Sequence, residues 1–180
     1  MPLGNAASSL ATVAVIGAGP LGRWLALSAA RAGYRVLLED VMPAKLALVS
    51  QAALELGAGQ NAVELASTVE DAVREADLAI DCVPDELESK LEILWLLDRM
   101  APPKMVIATP TTQLSIGDLA SCTYRPERCV AIAADPRELV EGRLAEILLR
   151  TTPQTLPEAS ALVSGFWQRL GFMPRVEVAS

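Results

Sequence analysis

Three glycines near the start of the chain have a spacing that suits the binding of a phosphate group. Gly17, Gly19 and Gly22 form a G-x-G-x-x-G pattern, in which small residues allow a tight turn and let backbone N–H groups approach a pyrophosphate. A helix that begins directly after such a loop adds unpaired N–H donors and a partial positive charge. This pattern arises by chance in about one chain in twenty of this length, so the flanking residues decide what it means.

The flanking residues have the layout of a β-α-β unit. An apolar run at residues 13–16 precedes the loop, a helix-forming segment follows it up to Gly33, and a carboxylate stands at Asp40, 23 residues beyond Gly17. A strand, a glycine loop, a helix and an acid at this spacing predict a site for a dinucleotide. The loop residues expected to contact the dinucleotide are Gly17, Gly19, Pro20, Leu21 and Gly22.

Asp40 indicates which dinucleotide is bound. A carboxylate at the end of the second strand accepts hydrogen bonds from the ribose 2′-OH and repels a 2′-phosphate, so it favours NAD over NADP. Glu39 competes for this role, because neighbouring residues of a strand point to opposite faces and only one of the two is expected to face the groove. In another interpretation, Asp40 only caps the next helix. The cofactor expected from these residues is NAD.

Apolar runs and amphipathic segments alternate along the rest of the chain. This alternation predicts an α/β fold with a doubly wound parallel sheet, formed by residues 12–180 as one dinucleotide-binding domain after a flexible leader at 1–11. The predicted strands are 12–16, 35–39, 63–66, 78–83, 106–108, 129–133, 145–149 and 176–178. The predicted helices are 20–32, 44–56 (ended by Gly57 and Gly59), 68–75, 85–100, 115–120 and 158–170.

Composition excludes several classes of partner. The formal charge of −7 argues against nucleic acid and anionic membranes. No uncharged run reaches the length of a membrane span, and the N-terminus lacks the basic region of a signal peptide. The three cysteines are odd in number and lack C-x-x-C spacing, so we expect free thiols in a reducing compartment and no metal site. A cytoplasmic protein without nucleic-acid or membrane partners is expected.

Four segments in order resemble the NAD-binding domain of the L-3-hydroxyacyl-CoA dehydrogenases. Residues 15–23 read Val-Ile-Gly-Ala-Gly-Pro-Leu-Gly-Arg, and residues 83–90 are similar to the family's V-P-E-D-L-E-L-K. Residues 108–116 are similar to T-N-T-S-S-L-S-I, and Arg-Pro-Glu-Arg at 125–128 precedes a strand. The resemblance implies a Rossmann-type NAD-binding fold.

The resemblance also implies roles for further residues. Val83 and Pro84 match the segment that lies along the nicotinamide, and Lys90 matches a lysine at the phosphates of cofactor and substrate. Thr109 falls with Pro84 at the carboxyl ends of the strands, where the crevice of such a sheet lies. The alternative for Lys90 is a solvated position on an amphipathic helix.

The catalytic residues of the family are altered. Its enzymes use a histidine in G-L-H-F-F-N-P to remove the hydroxyl proton as hydride leaves, whereas residues 131–136 are one residue shorter and the chain has no histidine. Thr112 replaces the serine that binds the substrate oxygen, and Glu146 resembles the carboxylate that orients the histidine. Loss of a positioned base typically costs about 10²- to 10⁴-fold in rate. Lys90, Tyr124, Asp135 and Glu146 are candidate replacements, and their spacing singles out none.

The resemblance ends where the family's helical C-terminal domain begins, which supplies dimer contacts and much of the acyl-CoA groove. We therefore expect an NAD(H)-binding protein whose dehydrogenase activity is weak, altered or absent. One alternative is an oxidoreductase active on a hydroxyacyl or other small hydroxy substrate, with a non-histidine acid/base and a site completed by a homodimer or partner protein. Another is a non-catalytic, NAD-responsive regulatory module. Acyl-CoA is a further candidate ligand.

Overall fold

An eight-stranded sheet organises the chain in a computed structural model, which describes residues 10–55 and 63–179. The strands are β1 (Thr12–Ile16), β2 (Arg35–Glu39), β3 (Glu64–Ala66), β4 (Leu78–Asp81), β5 (Val106–Pro110), β6 (Cys129–Ala133), β7 (Glu146–Thr151) and β8 (Met173–Val178). The helices are α1 (Pro20–Arg31), α2 (Pro43–Glu55), α3 (Val69–Val73), α4 (Leu87–Met100), α5 (Ile116–Ser121), α6 (Pro136–Val140) and α7 (Pro157–Arg169), with a 3-10 turn at Pro126–Arg128.

The sheet order is β3-β2-β1-β4-β5-β6-β7-β8, and the first six strands of the chain run parallel. This confirms the doubly wound α/β class. The chain leaves β1 towards β2 on one side and later returns to β4 on the other, so the crevice lies at the carboxyl ends of β1 and β4.

The sheet is mostly parallel, rather than parallel throughout as the sequence predicted. β7 runs antiparallel to β6, and β8 is parallel to β7. The connection from β6 to β7 holds only the short helix α6, and a strand that runs back along its neighbour needs no crossover helix. The longer helix α7 provides the crossover between the parallel strands β7 and β8.

Two apolar layers cover the sheet, one on each face. Val13 and Val15 of β1 pack in the layer that includes α1 and α7, and Ala14 and Ile16 pack in the layer that includes α3, α4 and α5. All five residues of β1 are buried, as expected for a parallel strand covered on both faces. The first layer contains an aromatic cluster in which neighbouring ring centroids lie 5.3–6.5 Å apart. Its members are Trp24, Tyr34, Phe166, Trp167 and Phe172.

Several predicted boundaries differ from the structure, and most differences lie at loops near the crevice. β4 ends at Asp81 rather than residue 83, α4 begins at Leu87 rather than residue 85, and α6 was not predicted. The predicted end of α2 at Gly57 and Gly59 lies outside the described residues, as do residues 1–9 of the predicted leader. The N–H of Ala11 donates to the Asp77 carboxylate at 2.9 Å. Among the described helices, none is long and apolar enough to cross a bilayer.

Candidate functional site

The glycine loop joins β1 to α1, and each glycine meets a different steric demand. Gly17 has a φ of +102°, which favours glycine, and a Cβ there would lie 2.9 Å from the carbonyl oxygen of Cys82. A Cβ at Gly22 would lie 1.7 Å from the carbonyl oxygen of Gly17. A Cβ at Gly19 would have no described protein atom within 4 Å. Gly17 and Gly22 therefore allow the loop to fold, and Gly19 keeps open the space above it.

Helix α1 begins at this open space. Gly19 is its N-cap, Pro20 occupies the first turn, and no side chain caps the exposed N–H groups. Proline suits the first turn of a helix because its missing N–H would have no intrahelical partner there. The first turn carries no acidic residue, so the partial positive charge of the helix terminus is not offset locally. This arrangement can bind an anion.

The Asp40 carboxylate lies beside the loop and accepts two backbone hydrogen bonds. Its Oδ2 accepts from Ala18 N–H at 2.7 Å, and its Oδ1 accepts from Met42 N–H at 2.7 Å. The Nζ of Lys45 lies 3.7 Å from Oδ2. Asp40 thus fixes the glycine loop and the turn before α2, and each oxygen retains a second lone pair for a ligand hydroxyl. Met42 precedes α2, so the bond to its N–H supports the turn before that helix and does not cap an N–H of the helix itself.

Glu39 also lines the crevice, contrary to the expectation that only one of the two acids would do so. Alternation holds within a strand, but β2 ends at Glu39 and Asp40 belongs to the following turn. The Glu39 carbonyl accepts from Gly17 N–H at 2.7 Å. Burial of the side chain, together with the charge of Asp40, raises the pKa of the Glu39 carboxyl above its usual value. Two carboxyl groups therefore face this end of the crevice.

A cleft of about 990 Å³ extends from these acids across the carboxyl ends of the strands. That volume is at the upper end of the range for small-molecule sites. The predicted site residues that line it are Gly17, Gly19, Pro20, Leu21, Asp40, Val83, Pro84 and Thr112. The structure thus brings most of the predicted cofactor residues together around one cavity.

Three other predicted cofactor residues, Gly22, Lys90 and Thr109, are not among the residues that line the cleft. Gly22 packs against Gly17 beneath the loop. Lys90 is fully buried on the face of α4 that packs against the sheet, and its Nζ forms an ion pair with Asp81 Oδ1 at 2.5 Å. Thr109 is buried on β5, next to the position of Asp81 on β4. We call Asp81, Lys90 and Thr109 the buried polar cluster. Lys90 is therefore neither at the cleft surface nor on a solvated helix face.

Burial determines how readily the Asp81 carboxyl of the buried polar cluster ionises. Burial raises the pKa of the Asp81 carboxyl to about 6, although the nearby Lys90 ammonium acts in the opposite direction. The buried Thr109 hydroxyl acts in the same direction as Lys90 on the pKa of the Asp81 carboxyl. The cluster lies in the layer beneath α4, and none of its three residues is among those that line the cleft.

None of the four residues predicted as possible replacements for the family histidine lines the cleft. Asp135 is the N-cap of α6, because its Oδ1 accepts from Arg137 N–H at 2.8 Å. Tyr124 is 95% exposed in the segment before β6, at the amino end of that strand. Glu146 begins β7 with an exposed side chain that is not among the cleft-lining residues. Lys90 is buried in its ion pair.

Thr112 lines the cleft, and its backbone N–H donates to Asp85 Oδ2 at 3.0 Å. The bond ties the segment after β5 to the segment after β4, so that both loops border the same part of the cleft. The Thr112 hydroxyl can still donate to a ligand. Thr112 and Glu146, the two candidate catalytic residues, do not meet at the cleft.

Charged residues that sequence reasoning did not select also line the cleft. Lys45 and Arg137 are its basic side chains, and Asp85, Glu92 and Glu141 add acids. Arg137 follows Asp135 and Pro136, and an acid before a proline is a recognised start of a helix. That pattern could have located α6. Nothing in the spacing of Glu92 distinguishes it from other exposed positions of α4.

The described part of the chain contains no group of three residues able to hold a metal ion. All three cysteines are free. Burial raises the pKa of the Cys82 thiol strongly and that of the Cys129 thiol to about 11. Cys82 lines the cleft, yet as a neutral thiol it is a poor nucleophile. The site therefore offers hydrogen bonding and an anion-binding helix terminus.

Comparison with known proteins gives a consistent match. The family described as 3-hydroxyacyl-CoA dehydrogenase, NAD binding domain, matches residues 12–174. A probable 3-hydroxybutyryl-CoA dehydrogenase of Bacillus subtilis is 29% identical over 168 residues, which are 83% of this chain and 58% of that protein. An L-carnitine dehydrogenase of a Pseudomonas species is 30% identical over 182 residues, 91% of this chain and 53% of that protein.

Solved structures agree with the sequence relatives. A diketoreductase superposes with a TM-score of 0.82 at 27% identity, covering 93% of this chain and 64% of its own. A (S)-3-hydroxybutyryl-CoA dehydrogenase from Ralstonia eutropha gives a TM-score of 0.83 at 23% identity, covering 96% of this chain and 65% of its own, and supports the fold. The chain spans about half the length of the curated relatives it matches.

Proposed function

The chain belongs to the 3-hydroxyacyl-CoA dehydrogenase family through its NAD-binding domain, and we propose that it holds NAD(H) in the cleft with dehydrogenase activity that is weak, altered or absent. The observation that carries the proposal is the open space above Gly19 at the start of α1, next to the Asp40 carboxylate. The start of α1 offers a site for the pyrophosphate of a dinucleotide, and the Asp40 carboxylate offers an acceptor for the hydroxyls of its ribose.

The cleft provides a position for each part of the cofactor. Gly19 and the first turn of α1 would hold the pyrophosphate, and the Asp40 carboxylate would accept hydrogen bonds from the hydroxyls of the adenosine ribose. Val41 and Val69 line the same end of the cleft and offer apolar contact to the adenine ring. Val83 and Pro84, after β4, border the nicotinamide. NAD supplies hydride acceptance and donation at this last position, and the protein orients the ring and limits its exposure to water.

The proposed weakness of catalysis follows from the residues around the nicotinamide end. The chain has no histidine, and Asp135, which precedes α6, is already engaged as its N-cap. Thr112 remains as a hydrogen-bond donor to a substrate oxygen. A donor without a positioned base leaves the proton transfer unassisted, which costs about 10²- to 10⁴-fold.

A paired assay tests both halves of the proposal. NADH binding is followed by tryptophan fluorescence, and the same sample is then assayed for NADH oxidation with acetoacetyl-CoA beside a histidine-containing enzyme of the family. We expect saturable NADH binding and turnover at least about 10²-fold below that enzyme. Turnover equal to that of the histidine-containing enzyme contradicts the proposal. A Gly19→Val variant, which fills the space over α1, serves as the control for binding in the cleft.

A second candidate function is oxidation of a different hydroxy substrate in a site completed by a second copy or a partner protein. The cleft favours it because the cavity extends past Pro84 to Arg137 on α6 and to Glu141 at the end of that helix, beyond the proposed nicotinamide position. Some relatives of the chain are named L-carnitine dehydrogenases, so the relatives are not all named for acyl-CoA substrates. The candidate predicts turnover per chain that rises with protein concentration or on addition of a partner. Binding of NADH without turnover on hydroxyacyl, acyl-CoA or carnitine substrates indicates a regulatory module instead.

A further inference from the structure

Strand β8 forms one end of the sheet and exposes its outer edge. Within the described residues β8 pairs only with β7. Its apolar side chains are open to solvent, with Met173 60% exposed, Val176 46% and Val178 59%. A strand with a free edge and exposed apolar residues is a template for pairing with another strand.

Hydrogen bonds to β7 show which backbone groups are free. Met173 N–H donates to the Ala145 carbonyl, and Ala179 N–H donates to the Thr151 carbonyl. Alternate residues of a paired strand direct their backbone groups to opposite edges, so Pro174, Val176 and Val178 direct theirs outward. Proline has no N–H. The free edge therefore offers two donors, from Val176 and Val178, and three carbonyl acceptors.

We propose that this edge pairs with β8 of a second copy in an antiparallel ladder centred on Val176. In this register Val176 exchanges two hydrogen bonds with Val176 of the partner subunit. Val178 N–H donates to the carbonyl of Pro174 of the partner subunit. By symmetry, the carbonyl of Pro174 accepts from the N–H of Val178 of the partner subunit. All outward N–H groups of β8 are then used, and Pro174 takes part as an acceptor, for which it needs no N–H.

Charge selects this register over its neighbours. Arg175 and Glu177 are both exposed, and the ladder centred on Val176 places Arg175 opposite Glu177 of the partner subunit, twice by symmetry. A shift of two residues in one direction places Arg175 opposite Arg175 of the partner subunit. A shift of two residues in the other direction places Glu177 opposite Glu177 of the partner subunit. Opposite charges in directly opposed positions stabilise a strand pair, and like charges destabilise it.

The two-fold arrangement also explains why the occupant is a second copy of this chain. Charged residues and proline on an edge strand ordinarily discourage pairing. Here the two charges have opposite signs and are two residues apart, so the strand is complementary to itself in one antiparallel register. An isologous contact of this kind closes on two subunits and uses the same patch on both. The opposite end of the sheet, β3, has only three residues and lacks this pattern.

Sedimentation equilibrium over a range of protein concentrations tests the proposal with three charge variants. We expect a reversible monomer–dimer equilibrium for the wild-type chain. R175E and E177R each create two like-charge pairs and are expected to weaken the dimer about tenfold. The double variant R175E/E177R restores opposite charges and is expected to recover the wild-type dissociation constant.

A backbone variant tests the hydrogen bonds separately from the charges. Val176→Pro removes an outward N–H without touching the bonds to β7, so the dimer is expected to dissociate while the fold persists. Unchanged NADH binding, together with thermal unfolding at a protein concentration low enough for the wild type to be monomeric, confirms that each variant is folded, because none of the substituted residues lines the cleft. A wild-type chain that stays monomeric at all concentrations overturns the proposal. So do single charge variants that dimerise like the wild type, or a double variant that fails to recover.

Discussion

Glu39 and Asp40 are adjacent carboxylates with different surroundings. The Asp40 carboxylate accepts hydrogen bonds from two backbone N–H groups, each at 2.7 Å. The side chain of Glu39 is buried beside it, and burial raises the pKa of Glu39, with a further contribution from the Asp40 charge. The two neighbours therefore differ: Asp40 is hydrogen-bonded to the backbone, and ionisation of the buried Glu39 side chain opposes folding.

This difference predicts how stability depends on pH. A raised pKa in the folded state means that the contribution of Glu39 is fully present below its unfolded pKa of about 4.3 and is lost as the pH rises through the folded value. Glu39→Gln keeps the shape and removes the ionisation. In urea unfolding at several pH values, the variant is expected to gain stability relative to wild type as the pH increases from 4 to 7. A difference that is independent of pH contradicts this explanation.

Two glycines of the loop predict opposite outcomes for the same substitution. Gly19→Ala meets no described protein atom within 4 Å, whereas Gly22→Ala brings a Cβ to 1.7 Å from the Gly17 carbonyl oxygen. Gly19→Ala is expected to weaken NADH binding and to leave thermal stability within about 0.5 kcal/mol of wild type. Gly22→Ala is expected to lower both stability and binding. Calorimetric unfolding and NADH titration of the two variants make the comparison, and equal loss of stability in both speaks against the assigned roles.

At the element scale, the pairing of β4 with α4 depends on a buried ion pair. Lys90 and Asp81 are almost completely inaccessible, and each is the other's charged partner. Removing one member of such a pair leaves an uncompensated buried charge. The pair holds the start of α4 against the strand whose end borders the cleft.

Lys90→Met is therefore expected to destabilise the fold by about 3–5 kcal/mol. The matched control is the double variant Asp81→Leu with Lys90→Met, which removes both charges and is expected to recover most of the loss, because apolar replacement of a whole buried pair is often neutral. Chemical unfolding measures both. If Lys90→Met unfolds like the wild type while NADH binding falls, Lys90 acts at the cofactor and the structural role is wrong.

The unit from β1 to β2 was predictable from sequence because glycine spacing, apolar runs and the stop at Gly33 all indicate the same local structure. The direction of β7 was not predictable, because an apolar pattern identifies a strand without showing whether it runs parallel or antiparallel to its neighbour. Helix α6 was missed because five residues are too few to show a helical period, although Asp135 and Pro136 mark its start.

Among site residues, the loop, Asp40, Val83 and Pro84 line the cleft as the sequence predicted, whereas Lys90 and Thr109 are buried and do not line it. Lys90 shares the spacing of the buried residues Ile93, Leu94 and Leu97 on α4, so helical periodicity assigns it to the inner face despite its charge. Its partner Asp81 lies on a neighbouring strand, and such a pairing across elements is not contained in local patterns. Thr109 is buried because β5 continues to Pro110, so that Pro110 and the residues after it, rather than Thr109, line the cleft.

Across the whole molecule, one sheet carries both the cleft and, well apart from it, the edge at which we propose that two copies pair. The cleft spans the carboxyl ends of the strands, from Asp40 to Arg137, and β8 forms the free end of the same sheet. The dimer proposed at β8 leaves the cleft open, so binding of the cofactor and association of two copies are independent in this account. The chain covers 53–58% of the length of the two curated relatives described above, and its described residues account for the cofactor-binding part of the family.

We propose that this cleft binds NAD(H) and that Asp40 selects it over NADP(H). Isothermal titration calorimetry of the wild-type chain with NADH and with NADPH, side by side, tests it most directly. We predict one NADH per chain and affinity for NADPH at least about tenfold lower, because the 2′-phosphate would meet the carboxylates of Asp40 and Glu39. Asp40→Ser is expected to reduce that preference, with Lys45 left to attract the phosphate. No binding of NADH, or tighter binding of NADPH than of NADH, would contradict the account.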